Sequence, residues 1–143
     1  MKFYIANDHA GVNVKSFIIS YLKNQNCEII DLGTNSNERV DYTDFAHLLS
    51  KKILDDKGSF GILICGTGIG MSLTANKHKG IRAALCHDSY TAKMARAHND
   101  ANVLCIGERV VGLGVIESIL EAWINEPFES GRHEERVKKI DIN

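Results

Sequence analysis

The chain has almost no surplus charge of either sign. Its 143 residues include 17 Lys and Arg against 18 Asp and Glu, which gives a formal net charge of −1. Proteins that bind nucleic acid or an anionic membrane through their overall charge present a basic surface, and this composition does not provide one. We therefore expect neither nucleic acid nor membrane among its partners.

Long hydrophobic runs are also missing. No apolar stretch approaches the roughly 20 residues that a membrane-spanning helix needs. The segment Met1–Asp8 becomes polar too early for the hydrophobic region of a secretory signal. These two absences predict a cytoplasmic protein.

Paired metal or redox motifs are absent as well. The four cysteines form no C-x-x-C pair, which favours reduced thiols over disulfides, and they are Cys27, Cys65, Cys86 and Cys105. Four histidines lack partners at metal-site spacing, so no metal is expected, and these are His47, His78, His87 and His133. The sequence also shows no repeat, low-complexity tract or linker, so its length predicts one domain over residues 1–143.

Five apolar runs alternate with segments of helical periodicity. The predicted strands are Lys2–Ala6, Cys27–Leu32, Phe60–Ile64, Ile81–Cys86 and Asn102–Ile106. The predicted helices cover Val14–Leu22, Phe45–Ile53, Met71–Lys77, Asp88–Ala97 and Ile116–Ile124. Strands that alternate with helices predict a three-layer α/β/α sandwich around a five-stranded parallel, Rossmann-like sheet.

The most informative stretch is Gly61–Gly70, which reads GILICGTGIG. A buried strand ends there at Cys65, and glycines then alternate with other residues. Alternating glycines allow backbone N–H groups to point into one concavity, and a helix that begins just after them would add the positive end of its dipole. We interpret the loop as a site for an anion, or for an oxygen that becomes anionic during a reaction. Cys65 would lie at its edge as a nucleophile or base.

Other interpretations of this stretch are weaker or equally simple. The P-loop requires G-x-x-x-x-G-K-[ST], whereas Met71 and Ser72 follow Gly70. The dinucleotide motif requires G-x-G-x-x-G after a first strand, whereas this is G-x-G-x-G after the third. Cys65 could also be a small core residue, which is the assignment we give to the other three cysteines.

The alternation of strands and helices predicts where polar residues gather. Asp8 and His9 follow the first strand, Cys65 the third, and Arg109 the fifth, so they should meet at the carboxyl edge of the sheet. His98 and Asn99 precede the fifth strand and should lie at the opposite edge. If they belong to the same site, a second subunit supplies them, which predicts a homodimer with shared sites.

Two arginines near the end of the chain fit a phosphate. Arg132 and Arg136 are four residues apart, so on a helix both guanidinium groups share one face. A solvated charged segment with Glu134 and Glu135 explains the same pattern. By the same caution, Asp8 could simply cap a helix, and His98 could simply end one.

Together these residues resemble the ribose-5-phosphate isomerase B family, which also includes galactose-6-phosphate and allose-6-phosphate isomerases. The resemblance covers nearly the whole chain and is carried by Asn7–Gly11, Gly33–Thr34, Asp41–Tyr42, Gly61–Gly70, Ala75–Lys77, Gly80–Ala83, Arg96–Asp100, Gly107–Gly112 and Gly131–Val137. Relatives that use glutamate as the base lack the cysteine, so Cys65 favours a cysteine-type enzyme for pentose phosphates.

The resemblance implies a mechanism and a role for each residue. Ribose 5-phosphate and ribulose 5-phosphate would interconvert through a cis-enediolate, without cofactor, in a homodimer or a dimer of dimers. Cys65 would be the base, His98 would help to open the sugar ring, and Asn99 would contact the sugar. Asp8 and Thr67 would bind hydroxyls, Asp8 also moving a hydroxyl proton. The enediolate oxygen would be stabilised by the loop residues Gly66, Thr67, Gly68, Ile69 and Gly70. The phosphate would be held by His9, Arg109, Arg132 and Arg136. Tyr42 is a weaker candidate near the sugar.

Three alternatives remain open at this point. A six-carbon sugar phosphate fits the same motifs, because pocket length is not visible in a sequence. A non-catalytic module for phosphosugars or nucleotides would use the same loop and arginines but leaves Cys65 and His98 without a task. A redox-sensing thiol protein requires a second cysteine close to Cys65, and none is near in sequence.

Overall fold

The computed structural model describes residues 1–142. The strands are β1 Lys2–Asn7, β2 Glu28–Asp31, β3 Phe60–Cys65, β4 Ala83–Leu85 and β5 Val103–Gly107. The helices are α1 Val12–Asn24, α2 Tyr42–Asp55, α3 Ile69–Ala75, α4 Ser89–Asn99, α5 Leu113–Asn125 and α6 Arg132–Lys138. A short 3-10 turn, His9–Gly11, connects β1 to α1.

The five strands form one parallel sheet in the order β2-β1-β3-β5-β4. Ile62 of β3 lies between Ile5 of β1 and Leu104 of β5 in the register. The predicted parallel sheet is therefore confirmed. Its fourth strand is shorter than predicted because Ile81 closes a turn onto the carbonyl of His78, and the N–H of Arg82 donates to the Asn102 side chain at 2.8 Å.

Alternation along the strands builds a separate hydrophobic core on each face of the sheet. Phe3 and Ile5 point into the core under α1, α4 and α5, which also contains the fully buried Trp123. Tyr4 and Leu63 point to the other face, under α2 and α3. Helices thus cover both faces, as the three-layer prediction required.

Two local predictions need correction. Helix α3 begins at Ile69 rather than Met71, so the non-helical part of the glycine loop is only Gly66–Gly68. The reason is that Gly68 adopts a left-handed φ of 78° and its carbonyl accepts the N–H of Ser72 at 3.1 Å, which starts the helix early. Cys27, predicted to be core, is only half-buried just before β2.

Within residues 1–142, every helix is too short or too polar to cross a membrane.

Candidate active site

The carboxyl ends of β1, β3 and β5 lie side by side and open into a cleft of about 450 Å³. The cleft is lined by Asp8, Tyr42, Cys65, Gly66, Thr67, Ile69, Gly70, Leu73 and Arg109. Asp8, Cys65 and Arg109 come from three different strand ends, as the predicted topology required. Concave sites of this size commonly hold small molecules.

Cys65 is fixed at the start of the glycine loop. It is 5% exposed, and its Sγ accepts a hydrogen bond from the Gly68 N–H at 3.1 Å. Its carbonyl accepts the N–H of Glu108 at 2.9 Å. An added Cβ on Gly68 would come within 2.6 Å of Leu85, so the loop can hold the sulfur this closely only with glycine. The thiol is therefore held in one direction at the cleft.

The other two buried cysteines lie in the hydrophobic cores and do not line the cleft. Burial raises the pKa of the Cys86 thiol to about 11, and it raises the pKa of Cys105 well above its ordinary value. Both are therefore inert neutral thiols near neutral pH. This environment agrees with their assignment as core residues.

Backbone hydrogen bonds hold Arg109 against the loop. Its N–H donates to the carbonyl of Gly66 at 3.0 Å, and an added Cβ on Gly66 would lie 3.2 Å from its guanidinium. The Ile69 N–H donates to the Thr67 hydroxyl at 3.2 Å. The cationic head of Arg109 thus lies directly over the loop, where it can meet an anionic group of a ligand.

Asp8 has both a structural contact and a position in the cleft. Its Oδ1 accepts the Ala10 N–H at 2.9 Å and so caps the 3-10 turn, while the side chain lines the cleft at 7% exposure. His9 is held to one side, because its Nδ1 accepts the Val40 N–H at 3.3 Å. Asp8 therefore caps the turn and also lies in the lining of the cleft.

A buried polar network between α1 and the loop after β2 was missed by the sequence analysis. Lys15 is 3% exposed, and its Nζ donates to the Thr34 carbonyl and the Asn35 side chain, each at 2.6 Å. It also pairs with Asp31 at 3.1 Å. A lysine next to Val14 on the buried face of α1 was the available signal. The network holds the loop after β2 against α1.

The second group of predicted residues lies elsewhere. His98 and Asn99 end α4 next to the start of β5, at the edge of the sheet opposite the cleft. Arg132 and Arg136 lie on the short helix α6, as their spacing predicted, and both are exposed. Within the described part of one chain, neither pair lines the cleft.

Helix α6 and the segment before it bring two further residues against His98. The rings of His98 and His133 are stacked, with centroids 4.2 Å apart and planes 9° from parallel. Glu129 places Oε2 3.7 Å from Nε2 of His98 and 3.4 Å from Nε2 of His133. Burial lowers the pKa of His133, and the nearby charges of His98 and Arg132 lower it further. The sequence analysis missed Glu129 and His133 because nothing local links them to His98.

Comparison with known proteins places the chain in a family. Residues 3–140 match the Ribose/Galactose Isomerase family. The chain belongs to this family. It is therefore an enzyme of the isomerase class, with a Rossmann-like α/β fold.

Named relatives agree over almost their whole length. Ribose-5-phosphate isomerase B of Escherichia coli is 45% identical over 133 residues, which cover 93% of this chain and 89% of that protein. The structure of ribose-5-phosphate isomerase B from Clostridium thermocellum has a TM-score of 0.95 at 49% identity, covering 98% of this chain and 95% of the other. The corresponding Thermotoga maritima structure has a TM-score of 0.94 at 45% identity, covering 98% and 97%.

Proposed function

We propose that this enzyme interconverts D-ribose 5-phosphate and D-ribulose 5-phosphate through a cis-enediolate, without a cofactor and in the cytoplasm. The observation that carries the proposal is the cleft in which a fixed cysteine thiol, a carboxylate and an arginine surround a glycine loop. Relatives named for this reaction share 45–49% of their residues with the chain.

Proton transfer is the central step of the proposal. As a thiolate, Cys65 removes the proton from C2 of the open-chain aldose, and the electron pair moves to form the cis-enediolate. The same sulfur returns the proton to C1, while Asp8 moves a hydroxyl proton from O2 to O1. No atom is gained or lost. A positioned base of this kind accelerates proton transfer by roughly 10²–10⁴-fold.

The glycine loop supports the charge that develops on oxygen. Backbone N–H groups along Gly66–Gly70 offer donors that need no reorganisation when the enediolate forms. The Thr67 hydroxyl and the Asp8 carboxylate contact sugar hydroxyls. The Arg109 guanidinium over Gly66 and the imidazole of His9 bind the phosphate together with Arg132 and Arg136.

The remaining residues come from a second copy of the chain. His98 helps to open the furanose ring, and Asn99 contacts the sugar, although both lie at the opposite edge of their own sheet. The cleft is bordered by exposed apolar side chains, with Leu73 62% and Ile69 50% exposed, a pattern that marks protein interfaces. A homodimer, alone or as half of a dimer of dimers, then places the second group on its partner's cleft.

One assay tests the proposal directly. Purified protein is mixed with ribose 5-phosphate in the absence of added metal and cofactor, and ribulose 5-phosphate is followed, with allose 6-phosphate run in parallel. Turnover of the pentose is the expected result. Turnover of the hexose alone would keep the mechanism and replace the substrate, whereas binding without turnover of either sugar would refute the proposal.

A further inference from the structure

Three groups that can bind a metal converge outside the cleft. The ligand atoms of His98, Glu129 and His133 all lie within 4.8 Å of one another. They come from the end of α4, the segment before α6 and α6 itself. The expectation of no metal rested on spacing along the chain, and the fold creates this cluster from residues that spacing does not connect.

The donor set suits a transition metal of the zinc class. Two imidazoles and one carboxylate form a set that zinc uses in sites with an open position. Bonds of about 2.0–2.2 Å in a tetrahedral site place ligand atoms roughly 3.3–3.6 Å apart. The separations here, 3.4 Å from Glu129 to His133 and 3.7 Å from Glu129 to His98, are close to that range. Hard cations such as Mg²⁺ prefer several oxygen ligands, and this cluster offers one carboxylate.

One ring must turn before both imidazoles can bind the same ion. A metal lies close to the plane of each ring that binds it, and the two rings are now parallel and stacked. The His98 side chain is 37% exposed and the His133 side chain only 8%. His98 is therefore the ring that is free to rotate, while the buried His133 provides the fixed part of the site, and the Glu129 side chain, 52% exposed, can adjust to the ion.

We propose that His98, Glu129 and His133 bind one divalent cation of the zinc class and that this binding inhibits the enzyme. The cation would occupy the His98 imidazole and remove it from ring opening. This inhibitory part rests on the proposed function, whereas the binding itself does not. The cation is an inhibitor here and takes no part in the isomerisation.

Equilibrium dialysis tests the binding independently of any activity. Intact protein is first treated with a chelator and then dialysed against zinc chloride, with bound zinc measured per chain. We expect one zinc per chain, held at least tenfold more weakly by Glu129→Gln and by His133→Asn. Circular dichroism of each variant checks that it remains folded.

A matched control uses the only other close imidazole pair in residues 1–142. Nδ1 of His47 and Nε2 of His78 lie 2.7 Å apart on the surface. His78→Asn should leave zinc binding unchanged. Loss of zinc in His78→Asn, or retention of full affinity in both Glu129→Gln and His133→Asn, would overturn the proposed site.

Activity is then measured within each protein, with and without zinc. We expect zinc to slow ring-closed ribose 5-phosphate turnover in the original chain at least tenfold, and a chelator to restore it. His133→Asn should be much less sensitive. Zinc bound at this cluster with unchanged turnover would refute the inhibition, and a protein without isomerase activity would still give a clear dialysis result.

Discussion

The two edges of the sheet carry site residues of different construction. At the carboxyl edge, Cys65 and Asp8 are almost buried, and backbone hydrogen bonds hold each of them in place. At the amino edge, His98 lies near the C-terminus of α4 and stacks on the ring of His133, and Arg136 is exposed on α6.

This difference separates a preformed half-site from an adaptable one. Catalytic groups act best when rigid elements hold them in the productive geometry, and the cleft meets that condition within one chain. At the amino edge, by contrast, Arg136 is exposed and the His98 side chain is 37% exposed. Under the proposed function, proton transfer takes place at the cleft, and the second edge contributes ring opening and part of the phosphate site.

The largest expected effect is at the cleft. Cys65→Ala should lower kcat by roughly 10²–10⁴-fold with a much smaller change in KM, because the base is lost while binding groups remain. Steady-state kinetics with ribose 5-phosphate measures both constants. Cys27→Ala, at a half-buried cysteine away from the cleft, is the matched control and should leave kcat unchanged. An unaltered kcat in Cys65→Ala would remove this residue from the mechanism.

Mixing two inactive variants tests whether the edges meet across subunits. Cys65→Ala and His98→Ala chains, unfolded together and refolded as a mixture, form hybrids with one intact and one doubly altered site. If the sites are shared, about a quarter of the original activity should return, because about half of the dimers are hybrids. Activity no greater than that of the separate variants would place each complete site within one chain.

The arginines of α6 should affect binding more than chemistry. Arg136→Ala should raise KM for the phosphorylated sugar by roughly 10–100-fold, because a charge-assisted contact to phosphate is lost. Lys138→Ala removes the same charge from the same helix, where Lys138 pairs with Glu135 at 3.1 Å, and should have little effect. An equal loss with unphosphorylated ribose would exclude a phosphate role for Arg136.

The rigidity of the cleft can be disturbed through its backbone. An added Cβ on Gly107 would lie 2.6 Å from the Thr67 carbonyl oxygen, so Gly107→Ala must displace the loop, at a cost of roughly 1–3 kcal/mol. Denaturant unfolding and kcat should both register the change. Gly114→Ala in α5 is the control. No atom of residues 1–142 outside its own helix lies within 4 Å of the Cβ added at Gly114. Because alanine has a better helix propensity than glycine, this control variant should gain up to about 1 kcal/mol in its free energy of unfolding.

The smallest effect concerns the helix that carries His98. The N–H and hydroxyl of Thr91 lower the pKa of Asp88, which caps α4. A carboxyl whose pKa is lowered on folding contributes stability above its ordinary pKa of 3.8, and this is lost as pH falls through the lower folded value. Asp88→Asn keeps an acceptor at the cap but cannot titrate. As pH is lowered below about 4, the melting temperature of this variant should therefore fall slightly less than that of the original chain. Identical acid profiles would show that the cap does not contribute this dependence.

The sequence by itself determined which candidate polar residues follow a strand and which precede one. Continuous apolar runs with amphipathic runs between them specify a parallel sheet, because helices cover both faces of such a sheet and bury the side chains on each. The edge at which Asp8, Cys65 and Arg109 gather follows from that topology alone. So does the separation of His98 from them.

Contacts between residues distant in sequence were decided only by the tertiary structure. The start of α3 depends on the conformation of one glycine, Gly68, and the buried charge of Lys15 depends on a loop 19 residues further along. The stacking of His133 on His98 depends on how α6 packs against α4. Local periodicity reports which face of an element is buried, but not what it is buried against, and that is why these three features required the folded chain.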